Sequence, residues 1–385
     1  MNKKKLDRLT KDMIKRDENQ LSGYATKQTY AKTTRREHPQ CRSEFARDRD
    51  RIIYSDAFRR LSGKTQVVYF SGRFNEHITT RSIHTMYVSK IALTIGKILR
   101  LNLDLIDAIG MGHDVGHPPF GHDGEVFLSK LCRENNIGEF HHNIHSLHTL
   151  EKISLRSEGL ELSLQVKDGI ISHDGERDEK RIIPDRSKTE EDIIDYISRK
   201  SRGEKIKDFR PMTLEGCVVR VSDMIAYLGQ DLEDGVRLQI IKPNQIPESI
   251  INVLGGKNRY IVNKLVLDII ENSYDKDYIS FSKKIFNAWV ELKKFNYQNI
   301  YNSPELKDQK EKIGQAFRIL FNRFLKDLKN NNTNSKIFKH FLNRRKTYRT
   351  RYNDAEVVRD FIATMTDGYF RSIVEETTIP EHPSY

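Results

Sequence analysis

The sequence predicts an all-α protein, a helical bundle with additional C-terminal helices and one small β-hairpin. Three observations predict it. Apolar residues recur at three- and four-residue spacing along most of the chain, as one face of an α-helix requires. Most of the ten prolines gather between such stretches, at Pro118-Pro119, Pro184, Pro211, Pro243, Pro247, Pro304 and in the tail, where a missing N–H does least harm. A single segment, Thr65 to Thr80, alternates polar with β-branched or aromatic residues around Gly72, the pattern of a hairpin.

Taken in order, residues 1–40 are polar and basic and form an arm with one short helix. Residues 45–62 make an arginine-rich helix with an apolar stripe, from Phe45 to Leu61. Ile83, Tyr87, Ile91, Ile95 and Ile98 mark a helix to Leu99, and Leu105, Ile106, Ile109 and Met111 mark the next, ending at His113-Asp114. Residues 174–210 are charged and poor in apolar residues, and are expected as an exposed excursion. Residues 260–378 hold several amphipathic helices, broken at Asn330-Asn331-Asn332-Thr333-Asn334, a loop too short to separate domains. The predicted organisation is an arm over 1–40, a core over 41–240 that includes the excursion, and a C-terminal helical region over 241–385 packed on the core.

Composition bounds the function. A chain of 385 residues can bury a sizeable core. With 31% charged and 37% apolar residues and no apolar run of spanning length, a membrane protein is not expected. The basic, polar start has no apolar stretch behind it, so no secretory leader is expected. Cys41, Cys132 and Cys217 are scattered and odd in number, as in a reduced, cytoplasmic protein. The net charge of +12 favours anionic partners. Polyphosphate ligands fit that charge, and the basic stretches at 2–16, 47–60 and 338–351 admit single-stranded nucleic acid.

The chemistry begins with His84, the pair His113-Asp114, and Asp223. Two imidazoles and two carboxylates suit one divalent ion such as Mn²⁺, Mg²⁺, Fe²⁺, Co²⁺ or Ni²⁺ better than a structural zinc. An ion so held activates water and polarises a phosphoryl oxygen. A lone His-Asp dipeptide is often chance, and His173-Asp174 is taken as one such case.

The helix from Thr213 to about Asp234 strengthens the reading. Val218, Val221, Ile225, Leu228 and Leu232 form its apolar stripe. Asp223, Tyr227 and Asp231, four apart, form a second stripe. Asp223 lies roughly 200° around the helix from Ile225. Lysine and arginine are absent from Ser222 to Gly235, so these acids have no local partner. An acidic face with an aromatic suits a metal and the edge of a sugar.

The loop from His113 to Glu125 adds His117, His122 and Glu125, with Gly116, Gly121 and Gly124 permitting close backbone approach. His122 and Glu125, three apart, let the carboxylate hold and polarise the imidazole, a group able to protonate a leaving oxygen near neutral pH. In the cluster His141-His142-Asn143-Ile144-His145, His141 and His145 are expected on an exposed loop.

These residues resemble a family. The strings Arg81-Ser82-Ile83-His84, His113-Asp114-Val115-Gly116-His117-Pro118-Pro119-Phe120-Gly121-His122 with Gly124-Glu125, and Asp223-Met224-Ile225-Ala226-Tyr227 with Asp231 are similar to those of the HD-domain deoxynucleoside triphosphate triphosphohydrolases, the dGTPase-like proteins. The likeness extends to Arg47–Leu61, Lys64-Thr65-Gln66-Val67, Phe140 with His142-Asn143, Ser146-Leu147, and a late Phe361-Ile362-Ala363 with Met365-Thr366-Asp367. Its clear part covers about 45 to 235.

The resemblance implies an HD-domain helical bundle holding one divalent metal through His84, His113, Asp114 and Asp223. It implies a catalytic histidine and acid at His122 and Glu125, with His117 and His142 facing the phosphates. It also implies Arg81 gripping the polyphosphate, Gln66 beneath sugar and base, and Tyr227 and Asp231 on the deoxyribose and its 3′-hydroxyl. The implied reaction is attack of water on the α-phosphorus, releasing deoxynucleoside and triphosphate. A homo-oligomer (dimer, tetramer or hexamer) is implied too. Gln230, His141, His145 and Tyr54 depart from the family's frequent residues, all away from the ligand positions. Two other readings stand beside this one: an HD phosphohydrolase acting on a signalling nucleotide or nucleic-acid end, and a nucleic-acid-binding protein with a vestigial site.

Overall fold

A computed structural model describes residues 3–34, 41–66, 79–174, 179–206 and 209–379 of the chain. Among them are seventeen α-helices and one two-stranded sheet, an all-α architecture. The chain runs through α1 (Lys3–Glu18), α2 (Glu44–Ile53), α3 (Asp56–Arg60), α4 (Arg81–Ile98), α5 (Leu103–Gly112) and α6 (Gly121–Glu134). Then come α7 (His142–His148), a single turn α8 (Ser154–Ser157), α9 (Leu164–Ile171), α10 (Glu190–Ser201) and the long α11 (Leu214–Arg237). It closes with α12 (Glu248–Leu254), α13 (Asn258–Ser273), α14 (Lys283–Asn296), α15 (Pro304–Lys329), α16 (Asp354–Ala363) and α17 (Asp367–Thr378). No helix among the described residues is long and apolar enough to cross a membrane.

Two large apolar centres, with a small third one around Leu147, Ile171 and Tyr196, organise these helices. The first is built on α4, α5 and α11, with α2, α9 and α12–α14 around them; Val88, Ile109, Val218, Ile225 and Trp289 lie in it. The predicted stripe of α11 is this seam, every member buried. The second centre joins α6 to α15, α16 and α17 through Leu128, Phe317, Phe321, Phe361 and Phe370. The loop His113–Phe120 runs between them, Val115 packing in the first and Phe120 in the second.

Side-chain caps set the helix starts. Ser43, Asn102 and Thr213 accept the N–H three residues on, at 3.0, 3.2 and 3.0 Å, satisfying donors the helix cannot. The expected single helix over 45–62 is two: Ser55 accepts the Phe58 N–H at 3.2 Å and starts α3 afresh. The N-terminal arm is tied down, because buried Glu215 accepts from Thr26 N at 2.9 Å, Thr26 Oγ1 at 2.8 Å and Asn102 N at 3.0 Å.

The segment 174–210 is not a wholly exposed excursion. Its described part contains α10, which buries Ile193 and Tyr196, and β1 (Arg181–Ile182), antiparallel to β2 (Ile279–Ser280) with Arg181 opposite Ser280. Its Lys188 forms a buried ion pair with Asp168. The expected hairpin over Thr65–Thr80 lies largely outside the described residues; its ends, Thr65 and Thr80, form an antiparallel bridge.

Candidate functional site

The bundle brings four distant segments to one buried point. Arg81 and His84 occupy the first turn of α4, on one face because they are three apart. His113 closes α5 and Asp114 follows it; Asp223 comes from the middle of α11. The His113 Nδ1–H donates to the Gly110 carbonyl at 2.7 Å, which orients the ring and leaves Nε2 facing the carboxylates.

His84 Nε2 lies 2.9 Å from Asp223 Oδ1 and 3.9 Å from Asp114 Oδ2; His113 Nε2 lies 3.7 Å from each of the same two oxygens. The predicted quartet therefore converges. Its chemistry fits a divalent cation: ligand atoms of His84, His113 and Asp114 lie within 4.8 Å of one another, Asp223 Oδ1 stands at both ring nitrogens, and His113 Nε2, buried, has no hydrogen-bond partner among the described residues. Burial resists ionisation of Asp114, but His117 and Arg81 hold its carboxyl well below the usual carboxylate range. Burial is likewise outweighed at Asp223, where the hydrogen bond from His84 brings the value to about 2.

A second group adjoins the first. His117 Nε2 is 3.1 Å from Asp114 Oδ1, and its ring stacks on that of His142 at 4.0 Å. Glu125 was expected to serve His122, but its stronger partner is His142, whose backbone N–H and Nδ1–H donate to it, each at 2.9 Å. His122 Nδ1 stands 3.6 Å from Glu125, with its side chain 69% exposed at the edge of the group. Burial disfavours charge on His142, yet the attraction of Glu125 pushes it up to about 9; burial leaves His117 well below the ordinary histidine value and neutral.

Of the residues expected on the substrate side, Arg81 touches the metal group directly and Asp231 lies within electrostatic reach of His84 and His122. Arg81 donates to Asp114 at 2.6 Å and is buried, while its Nε and Nη2 lack an acceptor among the described residues. Gly121, at φ +55°, lies against Arg81 Nη2; a Cβ there would come within 2.9 Å of it. Gln66 Oε1 is buried and unpaired among the described residues. On α11, Tyr227 is half-buried and Asp231 buried, its Oδ2 accepting from the Tyr301 hydroxyl. Burial, aided by Asp234, raises Asp231 to about 7.

Several residues at or beside the site were not expected. His173 is no chance dipeptide: it is buried, its Nε2 3.3 Å from His142 Nε2 and 4.0 Å from Asp114 Oδ1. The sequence carries only a partial signal, Ile170-Ile171-Ser172-His173-Asp174 ending an apolar helix as Gly110-Met111-Gly112-His113-Asp114 does, which does not by itself tell a buried pair from an exposed one. His145 is buried against Phe140, with the ring centroids 4.7 Å apart, rather than exposed. Lys64, buried, donates from Nζ to the carbonyls of His117 and Ala363. Asp367 accepts from Thr65 N at 3.0 Å, Thr65 Oγ1 at 2.8 Å and Phe120 N at 3.0 Å. These last two residues tie the site's loops to α16 and α17, which explains why the late Phe361–Asp367 string accompanies the metal motif.

Residues 81–228 match the HD domain, and residues 279–376 match the phosphohydrolase-associated domain. Helical bundle, ligand set and these matches together define an HD-domain phosphohydrolase. The chain is 37% identical to a deoxyguanosinetriphosphate triphosphohydrolase-like protein of Caldanaerobacter subterraneus subsp. tengcongensis, over 94% of this chain and 93% of that one. It is 36% identical to the protein of that name from Desulfatibacillum aliphaticivorans, over 80% and 81%, and 33% identical to that from Clostridium tetani, over 93% and 92%. The chain belongs to the deoxyguanosinetriphosphate triphosphohydrolase-like family.

Proposed function

We propose that the protein hydrolyses deoxynucleoside triphosphates to deoxynucleoside and inorganic triphosphate, water adding to the α-phosphorus as its bond to O5′ breaks. The observation that carries this reading is Arg81. A buried guanidinium whose Nε and Nη2 have no acceptor among the described residues, beside the carboxylate of Asp114, suits phosphate oxygens. A divalent ion held by His84, His113, Asp114 and Asp223 would supply Lewis-acid polarisation and acidify water there.

The chain's own groups divide the remaining work. Arg81 and the charged His142 balance the negative phosphates, and His117, its Nε2–H held by Asp114, packs its ring against that of His142. Glu125 keeps His142 charged and fixes its angle. His122, at the accessible edge, delivers the proton to the departing O5′. Tyr227 packs on C2′ and Asp231 takes the 3′-hydroxyl, with Gln66 below sugar and base. This reading carries with it a cytoplasmic homo-oligomer.

The test is a product assay with each dNTP and with ATP and GTP, in Mn²⁺ or Mg²⁺ and ¹⁸O-water. Label entering the triphosphate, unlabelled deoxynucleoside, and weak turnover of ribonucleotides are expected. Equal turnover of ATP and dATP would move a signalling-nucleotide phosphohydrolase ahead of this reading.

A further inference from the structure

The groups assigned to the two ends of the deoxyribose come from helices of different cores. His122, for the leaving O5′, stands in the first turn of α6, which packs in the second apolar centre. Asp231, for the 3′-hydroxyl, lies on α11 in the first centre, and its Oδ2 accepts from the Tyr301 hydroxyl. Neither core by itself fixes the separation of these groups. Yet O5′ and the 3′-hydroxyl ride on one sugar ring, so donor and acceptor must keep a set spacing.

Lys310 spans the gap. It lies about two turns into α15, a helix of the second centre. Its Nζ stands 3.3 Å from Oδ1 of Asp123, the residue beside His122, and donates to the Tyr301 carbonyl at 3.3 Å. Asp123 sits in the first turn of α6, where free amides favour an anion. Tyr301 ends a π-helical turn, Tyr297–Tyr301, where last-turn carbonyls lack helical partners and a cation suits them. One ammonium thus ties the helix start that carries His122 to the residue whose hydroxyl holds Asp231. Lys310 and Asp123 are both partly buried, with 31% and 23% of their side chains exposed.

We propose that Lys310 is a positioning residue that sets the distance between His122 and the Tyr301–Asp231 pair, so that a sugar held by its 3′-hydroxyl presents O5′ to the proton donor. Its role, which rests on the deoxyribose reading of the site, is indirect: Lys310 touches no reacting atom. An ion pair at this exposure adds little to folding, so loss of Lys310 is felt in turnover. A slip of about 1 Å between a held substrate and its donor costs on the order of 10²-fold. That cost falls on nucleotides anchored through the 3′-hydroxyl. A 2′,3′-dideoxynucleotide makes no bond to Asp231 and has no such register to lose.

The experiment compares dGTP with 2′,3′-dideoxy-GTP, in Mn²⁺, on full-length wild type, Lys310→Met and Lys310→Arg. Lys310→Met should keep the circular-dichroism spectrum and melting temperature of wild type. Its kcat for dGTP should fall ~10- to 10²-fold with KM near the wild-type value. Its slower turnover of the dideoxynucleotide should stay near the wild-type rate, and Lys310→Arg should recover most of the loss on dGTP. Equal losses on both nucleotides, or no loss on either, overturn the positioning role. If Lys310→Met fails to fold, Asp123→Ala breaks the pair from the other side and is read in the same way. Wild type that turns over both nucleotides equally overturns the deoxyribose reading itself, before any variant is compared.

Discussion

Arg81 and Asp114 meet through Nη1 and Oδ2 at 2.6 Å, and both side chains are buried. The pair joins the proposed phosphate receptor to a proposed metal ligand, so a change at one is felt at the other. Arg81→Lys keeps a charge but loses the fork. With one or two charge-assisted hydrogen bonds gone, at about 1.5–3 kcal/mol each, kcat/KM for dGTP should fall ~10- to 10⁴-fold, chiefly through KM. Steady-state kinetics check this; an unchanged KM would remove Arg81 from phosphate binding. Arg81→Ala strands a buried carboxylate and should cost about 3–5 kcal/mol of metal-free stability, part of which Mn²⁺ restores.

His122 should be needed for turnover and not for metal. His122→Ala should lower kcat roughly 10²–10⁴-fold, as expected for a lost acid–base group, while Mn²⁺ stoichiometry stays at the wild-type value. Wild-type turnover in this variant would assign proton delivery elsewhere, with His142 next in line.

The Asp231 carboxyl predicts a pH signature. Burial, then Asp234, raises it to about 7, against the pull of the Tyr301 hydroxyl; an unfolded chain would give about 3.9. Between these values the folded protein holds a proton that the unfolded chain has released. This stabilising contribution is complete below about pH 4 and is lost as the pH rises through 7. The urea midpoint of wild type should therefore fall more between pH 5 and pH 8 than that of Asp231→Asn. Parallel midpoints would show that Asp231 ionises at its ordinary value.

Asp367 should act on the site from the far end of the chain. Phe120 sits in the left-handed region at φ 61°, a conformation costing about 1–2 kcal/mol in a non-glycine residue. The Asp367 bond to its N–H and the packing of its ring on Phe317 and Phe370 hold it there. Asp367→Ala leaves that N–H and the Thr65 donors without their acceptor, so stability should drop by roughly 1–3 kcal/mol. Turnover should fall as well, with Mn²⁺ binding kept, and Asp367→Asn should recover part of both. Denaturant titration with kinetics decides it: loss of stability with full turnover would make Asp367 a purely structural tie.

The sequence by itself determined the principal helices of the core and the candidate ligand set. Periodicity located α4, α5 and α11 because burying one face of a helix imposes a repeat that survives in one dimension. The convergence of His84, His113, Asp114 and Asp223 was legible because they are rare residue types at the ends or on one face of those helices. Tertiary structure alone decided who partners whom. Glu125 is as near His122 in sequence as a helical turn allows, yet it serves His142, because α7 starts against α6 and presents a backbone N–H and a ring N–H to the same carboxylate. His173 looked like chance because nothing local distinguishes a buried His-Asp from an exposed one; the packing of α9 on α5 brings it to Asp114. Lys64 and Asp367 were silent as site residues for the same reason. Their role lies in hydrogen bonds to backbone atoms of distant loops, and backbone atoms carry no sequence signal.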